Sequence, residues 1–249
     1  MDEMIRRAAE AIKRSKTAIA FTGAGISVES GIPDFRSAGG LWDKYDPAIY
    51  ASIDTFRTQP ERCWVMLFEM FDLTSGAKPN PAHVALAELE EMGFLKAIIT
   101  QNIDNLHQRG GSKRVIEYHG NSVELVCLKC NAKYDVDDFD RTDNVPPRCE
   151  KCDTILKPAI VYFGEMIPPD ALYEASDLAN SADVLIIVGT SAVVYPAAAI
   201  PDTAKRNGAF IIESNIEKTS FTNRITDVFL QGPSGERLPE LVKAVKALS

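Results

Sequence analysis

The sequence predicts a doubly wound α/β fold carrying a smaller second lobe, and three observations predict it. Short apolar runs that do not alternate recur at 18–21, 97–100, 115–118, 160–163, 184–188 and 209–213. Strands buried on both faces read this way, and such strands belong to parallel sheets covered by helices. Helical patterns lie between several of these runs, at 82–92, 169–181 and 197–207, with another closing the chain at 235–248. That alternation is the signature of a doubly wound sheet. Two segments break it, at about 42–78 and 121–157, and the second holds four of the five cysteines.

Composition narrows the function classes. The 249 residues carry 27 Lys+Arg against 35 Asp+Glu, a net charge of −8, with 45% apolar and 25% charged residues. These are the fractions of an ordinary globular protein. A chain of this length buries roughly three quarters of its unfolded surface, enough for one large domain with a small satellite. No uninterrupted apolar run approaches the ~20 residues needed to cross a bilayer, and the opening Met1-Asp2-Glu3 reads as helix, so no membrane association is expected and a cytoplasmic location is. A net negative chain is a poor general ligand for nucleic acid, because nonspecific affinity comes from neutralising phosphates. The expected partner is a small molecule or a basic peptide.

Each element has its own local reason. From 2 to 16 the apolar residues Met4, Ile5, Ala8, Ala9 and Ile12 recur at the spacing of an amphipathic helix. The run at 18–21 ends in Thr22-Gly23-Ala24-Gly25, a strand followed by a glycine turn. The segment 42–78 is rich in aromatics and Met at helical spacing, with Cys63 beside Trp64 as core. The segment 121–157 has an acidic middle, 135–144, between its cysteine pairs. As insertions these two segments make the smaller lobe, and the cleft between lobes is the expected ligand site, beyond the carboxyl ends of the strands.

Cys127-x-x-Cys130 and Cys149-x-x-Cys152 are separated by 18 residues. A two-residue gap lets both thiolates of a turn reach one ion at ~2.3 Å, and two such turns close the coordination sphere. A closed site makes the metal structural. Disulfides or buried free thiols are the alternatives, disfavoured in a reducing compartment.

The glycine turn lets backbone N–H groups approach a pyrophosphate, with a packing turn as the alternative. It lacks the third glycine of G-x-G-x-x-G and the acidic residue ~20 positions on, which disfavours an ordinary dehydrogenase. Gly31-Ile32-Pro33-Asp34-Phe35-Arg36 forms a loop able to close over a charged, planar ligand. Gln101-Asn102-Ile103-Asp104 brings polar side chains to the end of the second strand, where Asn and Asp bind an amide or ribose hydroxyls. Asp104 as a helix N-cap is the competing reading. His119 ends the third strand, and an imidazole with a pKa near 6.5 can accept a proton there.

Gly23-Ala24-Gly25-Ile26-Ser27, Gly31 to Arg36, Thr100 to Asp104, His119-Gly120, the paired cysteines, Phe163-Gly164-Glu165 and Gly189-Thr190-Ser191 occur in one order along nearly the whole chain. In that order they resemble the sirtuin family of NAD-dependent protein deacylases, in its short prokaryotic form. The resemblance implies a Rossmann-like NAD-binding domain (1–41, 79–120 and 158–249) and a small lobe. That lobe comprises a helical module (42–78) and a zinc-ribbon module (121–157) holding one structural Zn2+ on Cys127, Cys130, Cys149 and Cys152.

It further implies that NAD meets Gly23, Ala24, Gly25 and Val28 at the pyrophosphate side and Phe35 and Arg36 of a cofactor loop. Gln101, Asn102, Ile103 and Asp104 would line the nicotinamide end, with Gly189, Thr190, Ser191 and Asn215 on the adenosine side and Ser234 against the adenine. His119, Asn102 and Asp104 would carry the chemistry, His119 as the general base at the ribose hydroxyls. An acyl-lysine peptide would add as a strand between Phe163-Gly164-Glu165 and Val193-Val194-Tyr195, with Val161 offering its carbonyl. The products implied are free lysine, nicotinamide and O-acetyl-ADP-ribose. Leu67 and Met70 stand where succinyl- or malonyl-selective members carry a Tyr-x-x-Arg pair, which implies apolar acyl groups.

The chain departs from the family pattern at Ser37-Ala38, at Glu213-Ser214 and at 231–233, which bears on the cofactor loop and the adenine end. The rival activity is mono-ADP-ribosylation of a protein acceptor from the same pocket. A binding module without turnover and a zinc-ribbon nucleic-acid binder are further alternatives. His119 argues against the former and the acidic cysteine segment against the latter.

Overall fold

The computed structural model describes residues 2–35, 40–140, 143–191 and 193–248. Helix α1 (Glu3–Arg14) opens the chain, its first turn capped by the Asp2 side chain on Met4 N. Strand β1 (Ala18–Thr22) follows. Four helices come next: α2 (Leu41–Lys44), α3 (Pro47–Tyr50), α4 (Ile53–Thr58) and α5 (Pro60–Ser75). Then come α6 (Pro81–Glu91), β2 (Leu95–Thr100), α7 (Leu106–Arg109), β3 (Val115–Glu117), β4 (Gly120–Val126), β5 (Lys133–Asp135) and β6 (Lys157–Ile160). The chain closes through α8 (Pro169–Ser181), β7 (Val184–Val188), α9 (Ala199–Arg206), β8 (Phe210–Asn215), β9 (Val228–Gln231) and α10 (Ser234–Ala247).

Six strands form a parallel sheet in the order β3-β2-β1-β7-β8-β9. Its two faces explain the unalternating runs. Along β7, Val184, Ile186 and Val188 join a core with α1, α6 and α10, whereas Leu185 and Ile187 face α8 and α9. All five residues of β1 are buried for the same reason. Both faces being apolar, the strand cannot show a period of two.

The strand expected at 160–163 does not belong to this sheet. Only Ile160 of that segment lies in a strand, as the last residue of β6, which runs antiparallel to β4 in a separate three-stranded sheet, β5-β4-β6. The sixth parallel strand is β9, which the sequence reading missed. At four residues on the sheet edge, β9 buries only Val228 and Leu230 fully, so it presents little of the continuous apolar signal.

Helices α4 and α5 pack on the three-stranded sheet, where Ile53, Phe56, Trp64, Leu67 and Phe71 share a core with Leu125, Cys127, Ile155, Leu156 and Tyr162. The Trp64 indole donates to Leu156 O at 2.9 Å, giving the largest buried side chain of this core a polar partner. Cys63 is buried in the same core. The module boundary expected at 157/158 falls inside β6. Among the described residues, no helix is long and apolar enough to cross a membrane.

Candidate active site

The strand order changes direction beside β1, because β1 and β7 are neighbours while their connections run to opposite sides of the sheet. A crevice opens at the carboxyl ends of strands at such a point. Here it is a cavity of about 700 Å³ reached from both the parallel sheet and the helices α2 and α5.

The first wall is the turn after β1. Gly23, Ala24, Gly25 and Val28 line the cavity, as does Phe35. The glycines also have a packing cause, because Gly25 N donates to Gly189 O at 2.8 Å across the turns after β1 and β7. A Cβ on Gly25 would meet Gly189 backbone at 2.8 Å, and one on Gly189, at φ +57°, would stand 2.3 Å from Ile26 N. The packing reading of the glycine turn is therefore present, and the same turn lines the cavity. Arg36 lies outside the described residues.

The second wall is the segment after β2. Gln101, Asn102 and Ile103 line the cavity. The Asn102 amide donates to Gly23 O and Ser27 Oγ, both at 3.2 Å, and its main-chain N–H donates to Thr100 Oγ1 at 3.1 Å. Asp104 lies behind this wall, 9% exposed and outside the cavity lining. One of its carboxylate oxygens accepts from Leu106 N at 2.9 Å and the other from Ser27 Oγ at 2.7 Å. The N-cap of α7 is Asn105 rather than Asp104, which stands one residue before it and takes the first helical N–H, and the same carboxylate anchors the serine that holds Asn102.

His119 follows β3 and faces the same cavity. Its Nδ1 lies 3.1 Å from Gln101 O. A carbonyl only accepts, so the proton sits on Nδ1 and Nε2 carries a free lone pair. Burial lowers its pKa, and the bond to Gln101 O partly opposes that shift. The imidazole is therefore held neutral and basic at neutral pH.

Thr190, Ser191, Gly189 and Asn215 line the far side, with the Asn215 amide donating to Thr190 O at 3.3 Å. Ser234 does not reach the lining. It starts α10, is buried, and its hydroxyl meets Glu29, whose carboxylate also accepts from Gly235 N at 2.7 Å.

Val161, Phe163, Gly164 and Glu165 enter the cavity from the third side and Val194 and Tyr195 from the fourth, while Val193 lies outside the lining and is exposed. Phe163 spends its N–H on Ala51 O and its carbonyl on Ile53 N. Among the described residues, no hydrogen bond engages the main chain of Gly164 or Tyr195. The turn rests on Lys157, 5% exposed, whose ammonium donates to Ile160 O at 2.6 Å and pairs with Glu165 at 2.9 Å.

The reading of Leu67 needs correcting. Leu67 points into the core of the small lobe, and the α5 residues facing the cavity are Met66 and Met70. Helix phase is the cause, since Met66 and Met70 are one turn apart on the same face. The sequence reading also missed Asp34, Trp42 and Tyr162 and the stretch 216–219. A signal existed for the stretch, which directly follows the end of β8.

The four cysteine Sγ atoms lie within 4.8 Å of one another, with contacts of 3.4 Å (Cys127–Cys152), 3.5 Å (Cys130–Cys149) and 3.7 Å (Cys130–Cys152). Four thiolates at ~2.3 Å from one tetrahedral zinc stand roughly 3.8 Å apart, whereas a disulfide needs ~2.05 Å. The donor set fits zinc and none of these pairs is a disulfide.

Behind the second wall lie two buried histidines. His107 Nε2 is 2.9 Å from Thr22 Oγ1, and the His83 and His107 rings are 4.9 Å apart. Burial pushes their pKa values down to about 4 and about 3. Both histidines are protonated near pH 6.5 in the unfolded chain and only far lower in the fold. The unfolded state then binds more protons between those values, so stability is fully present above about pH 6.5 and is lost as pH falls toward 4. We expect denaturant midpoints to drop over that window, and a His83→Asn variant to flatten the drop; an unchanged slope in the variant would refute the assignment.

The parallel sheet, the crevice and the closed cysteine site together define a nucleotide-binding α/β protein with a metal-bearing lobe. A model of the Sir2 family matches residues 23–196, and the chain belongs to that family. It is 50% identical to NAD-dependent protein deacylase 2 of Archaeoglobus fulgidus, over 100% of this chain and 98% of that one. It is 46% identical to NAD-dependent protein deacylase of Pyrococcus furiosus, over 99% and 100%.

A solved structure described as the structural basis for the mechanism and regulation of Sir2 enzymes superposes with a TM-score of 0.93 at 50% identity, covering 100% of both chains. Other similar structures are a Sir2 homologue with NAD (TM-score 0.92, 45% identity, 100% and 96% covered) and one with a myristoylated histone peptide (0.85, 44%, 100% and 98%). A further Sir2 structure holds a deacetylated p53 peptide and 3′-O-acetyl ADP-ribose (0.89, 40%, 96% and 97%).

Proposed function

We propose that this chain is an NAD-dependent protein-lysine deacylase that transfers the acyl group to ADP-ribose and releases nicotinamide. The observation that carries the reading is His119 with a free Nε2 in one cavity shared by the glycine turn and the Phe163–Glu165 and Val194–Tyr195 segments. The names and bound molecules of the relatives support it. NAD supplies the ribose carbon that takes the acyl oxygen.

In this reading Gly23, Ala24, Gly25 and Val28 hold the pyrophosphate side, Gln101, Asn102 and Ile103 the nicotinamide end, and Gly189, Thr190, Ser191 and Asn215 the adenosine side. Asp104 serves through Ser27, fixing the Asn102 amide. Phe35 faces the cofactor from the segment after the glycine turn. His119 accepts the proton from a ribose hydroxyl, and the dry, shaped cleft holds the reactants in line. The peptide lies as a strand along Gly164 and Tyr195, whose main-chain groups are the ones left for pairing, with Val161 offering its carbonyl. Residues 1–41, 79–120 and 158–249 form the nucleotide domain and 42–78 the helical module, with the metal module running from 121 through β6. Cysteines kept as thiolate ligands suit a cytoplasmic location.

Incubating the chain with an acetyl-lysine peptide and NAD is expected to give equal amounts of free lysine, nicotinamide and O-acetyl-ADP-ribose by mass spectrometry. ADP-ribose appearing on protein while the peptide stays acetylated would replace this reading by transferase chemistry. The wall of Met66, Met70, Trp42 and Ala51 carries no cation. Burying a succinyl carboxylate there without a partner costs several kcal/mol. The kcat/KM for succinyl-lysine is accordingly expected to fall about 100-fold or more below that for acetyl-lysine, and comparable values in steady-state assays would refute the apolar wall.

A further inference from the structure

Glu213 sits in β8 with 0% exposure, between Ile187 of β7 and Phe229 of β9. Among the described residues no cation forms an ion pair with it. Its two oxygens are instead occupied by hydroxyls: Thr219 Oγ1 donates to Oε1 at 2.5 Å and Thr226 Oγ1 donates to Oε2 at 2.7 Å. These threonines stand near opposite ends of the 216–227 loop that joins β8 to β9.

Only the near end of that loop reaches the cavity, through Ile216, Glu217, Lys218 and Thr219. Thr219 is tied further, since its oxygen accepts from Phe221 N at 3.1 Å and Phe221 is buried in the core under the sheet. The far end is pinned separately, by the Asp227 carboxylate on Ile211 N and Lys205. One buried carboxylate thus draws both arms of the loop onto β8. A buried acidic group with just these two donors is costly inside a sheet, and a purely packing role needs no carboxylate there.

We propose that Glu213 is a positioning residue for the nucleotide: it latches the 216–219 rim beside Asn215 and thereby sets affinity for the adenosine end of the cofactor. This rests on the NAD reading above.

The test uses the full chain and ADP-ribose, measured by calorimetry, with steady-state kinetics beside it. Thr226→Val is the deciding variant, because it is isosteric, removes one latch bond and lies outside the cavity lining. It is expected to weaken ADP-ribose binding and raise KM for NAD, each by roughly tenfold, with kcat and the peptide KM changed less than about twofold. Glu213→Gln, which keeps an acceptor, is expected to fall between it and the parent. ADP-ribose binding within twofold of the parent in Thr226→Val would overturn the proposal. So would a loss of melting temperature with NAD and peptide constants rising together. A parent chain that fails to bind ADP-ribose overturns the NAD reading itself, so the two failures are distinguishable.

Discussion

Replacing His119 with alanine is expected to lower kcat for deacylation by about 10²–10⁴, the usual contribution of a positioned general base. The case rests on which nitrogen is basic. Gln101 O takes the Nδ1 proton at 3.1 Å, so Nε2 is the one nitrogen free to accept. No other histidine can substitute, because His83 and His107 are buried behind the Asn102 wall, outside the cavity lining. The cavity is built mainly by backbone and by residues on other elements, so ADP-ribose affinity should stay within a few-fold of the parent.

The pH dependence follows from the direction of the shift. Burial lowers the His119 pKa, so the base stays unprotonated below the ordinary histidine value. The acid limb of kcat/KM should therefore lie below pH 6.5, with activity falling as protons fill Nε2 and level above it. A variant that keeps parental turnover, or an acid limb well above pH 6.5, would remove His119 from the base role.

The legible parts of this fold and site share one physical property: they are consecutive in the chain. The glycine turn, Gln101 to Asp104 and His119 each follow a short, mainly apolar run, and such a run followed by a polar cluster can be read without knowing any contact. The cysteine pairs declare themselves by spacing alone. What was not legible depends on packing between distant segments. Strand β9 is hidden because an edge strand needs only one neighbour and shows half of the apolar signal. The run at 160–163 looked like a parallel strand because β6 and the turn after it are covered by Trp64 and Phe56 rather than by sheet helices. Leu67 was placed by alignment along α5, and a helix turned by one residue exchanges Leu67 for Met66 at the cavity. Asp104 sits next to a cavity residue in sequence, yet its side chain is taken by Ser27, and that of Ser234 is taken by Glu29, which no local pattern announces.

Removing the metal should abolish peptide binding while leaving the nucleotide sheet folded. The segment 121–157 has few buried apolar residues of its own, chiefly Leu125, Ala132, Val136, Ile155 and Leu156, too few to hold three short strands together. Structural zinc on four thiolates contributes on the order of 10–16 kcal/mol of apparent binding energy, which exceeds any stability that core can supply. The parallel sheet keeps its own two cores, neither of which includes a cysteine. The damage instead spreads along bonds that cross from β6: Trp64 loses its acceptor at Leu156 O, and Lys157, whose ammonium holds Glu165, loses the strand that positions it.

A Cys149→Ser variant or a chelated chain is therefore expected to carry no metal against one ion per parent chain, and to exchange its amides freely at 120–126 and 155–158. Protection should persist in β1 and β7, with ADP-ribose still bound and the acyl-lysine peptide lost. Protection of β4 in a chain shown by elemental analysis to be metal-free would mean that the cysteine site does not hold the module. Loss of β1 and β7 protection in the same sample would mean that the two sheets fold as one unit. Because Lys157 is the link between them, the peptide KM of a Lys157→Met chain with its metal intact separates the two causes: it rises if the Glu165 turn depends on that ammonium, and stays at the parental value if the metal acts on the peptide site by another route.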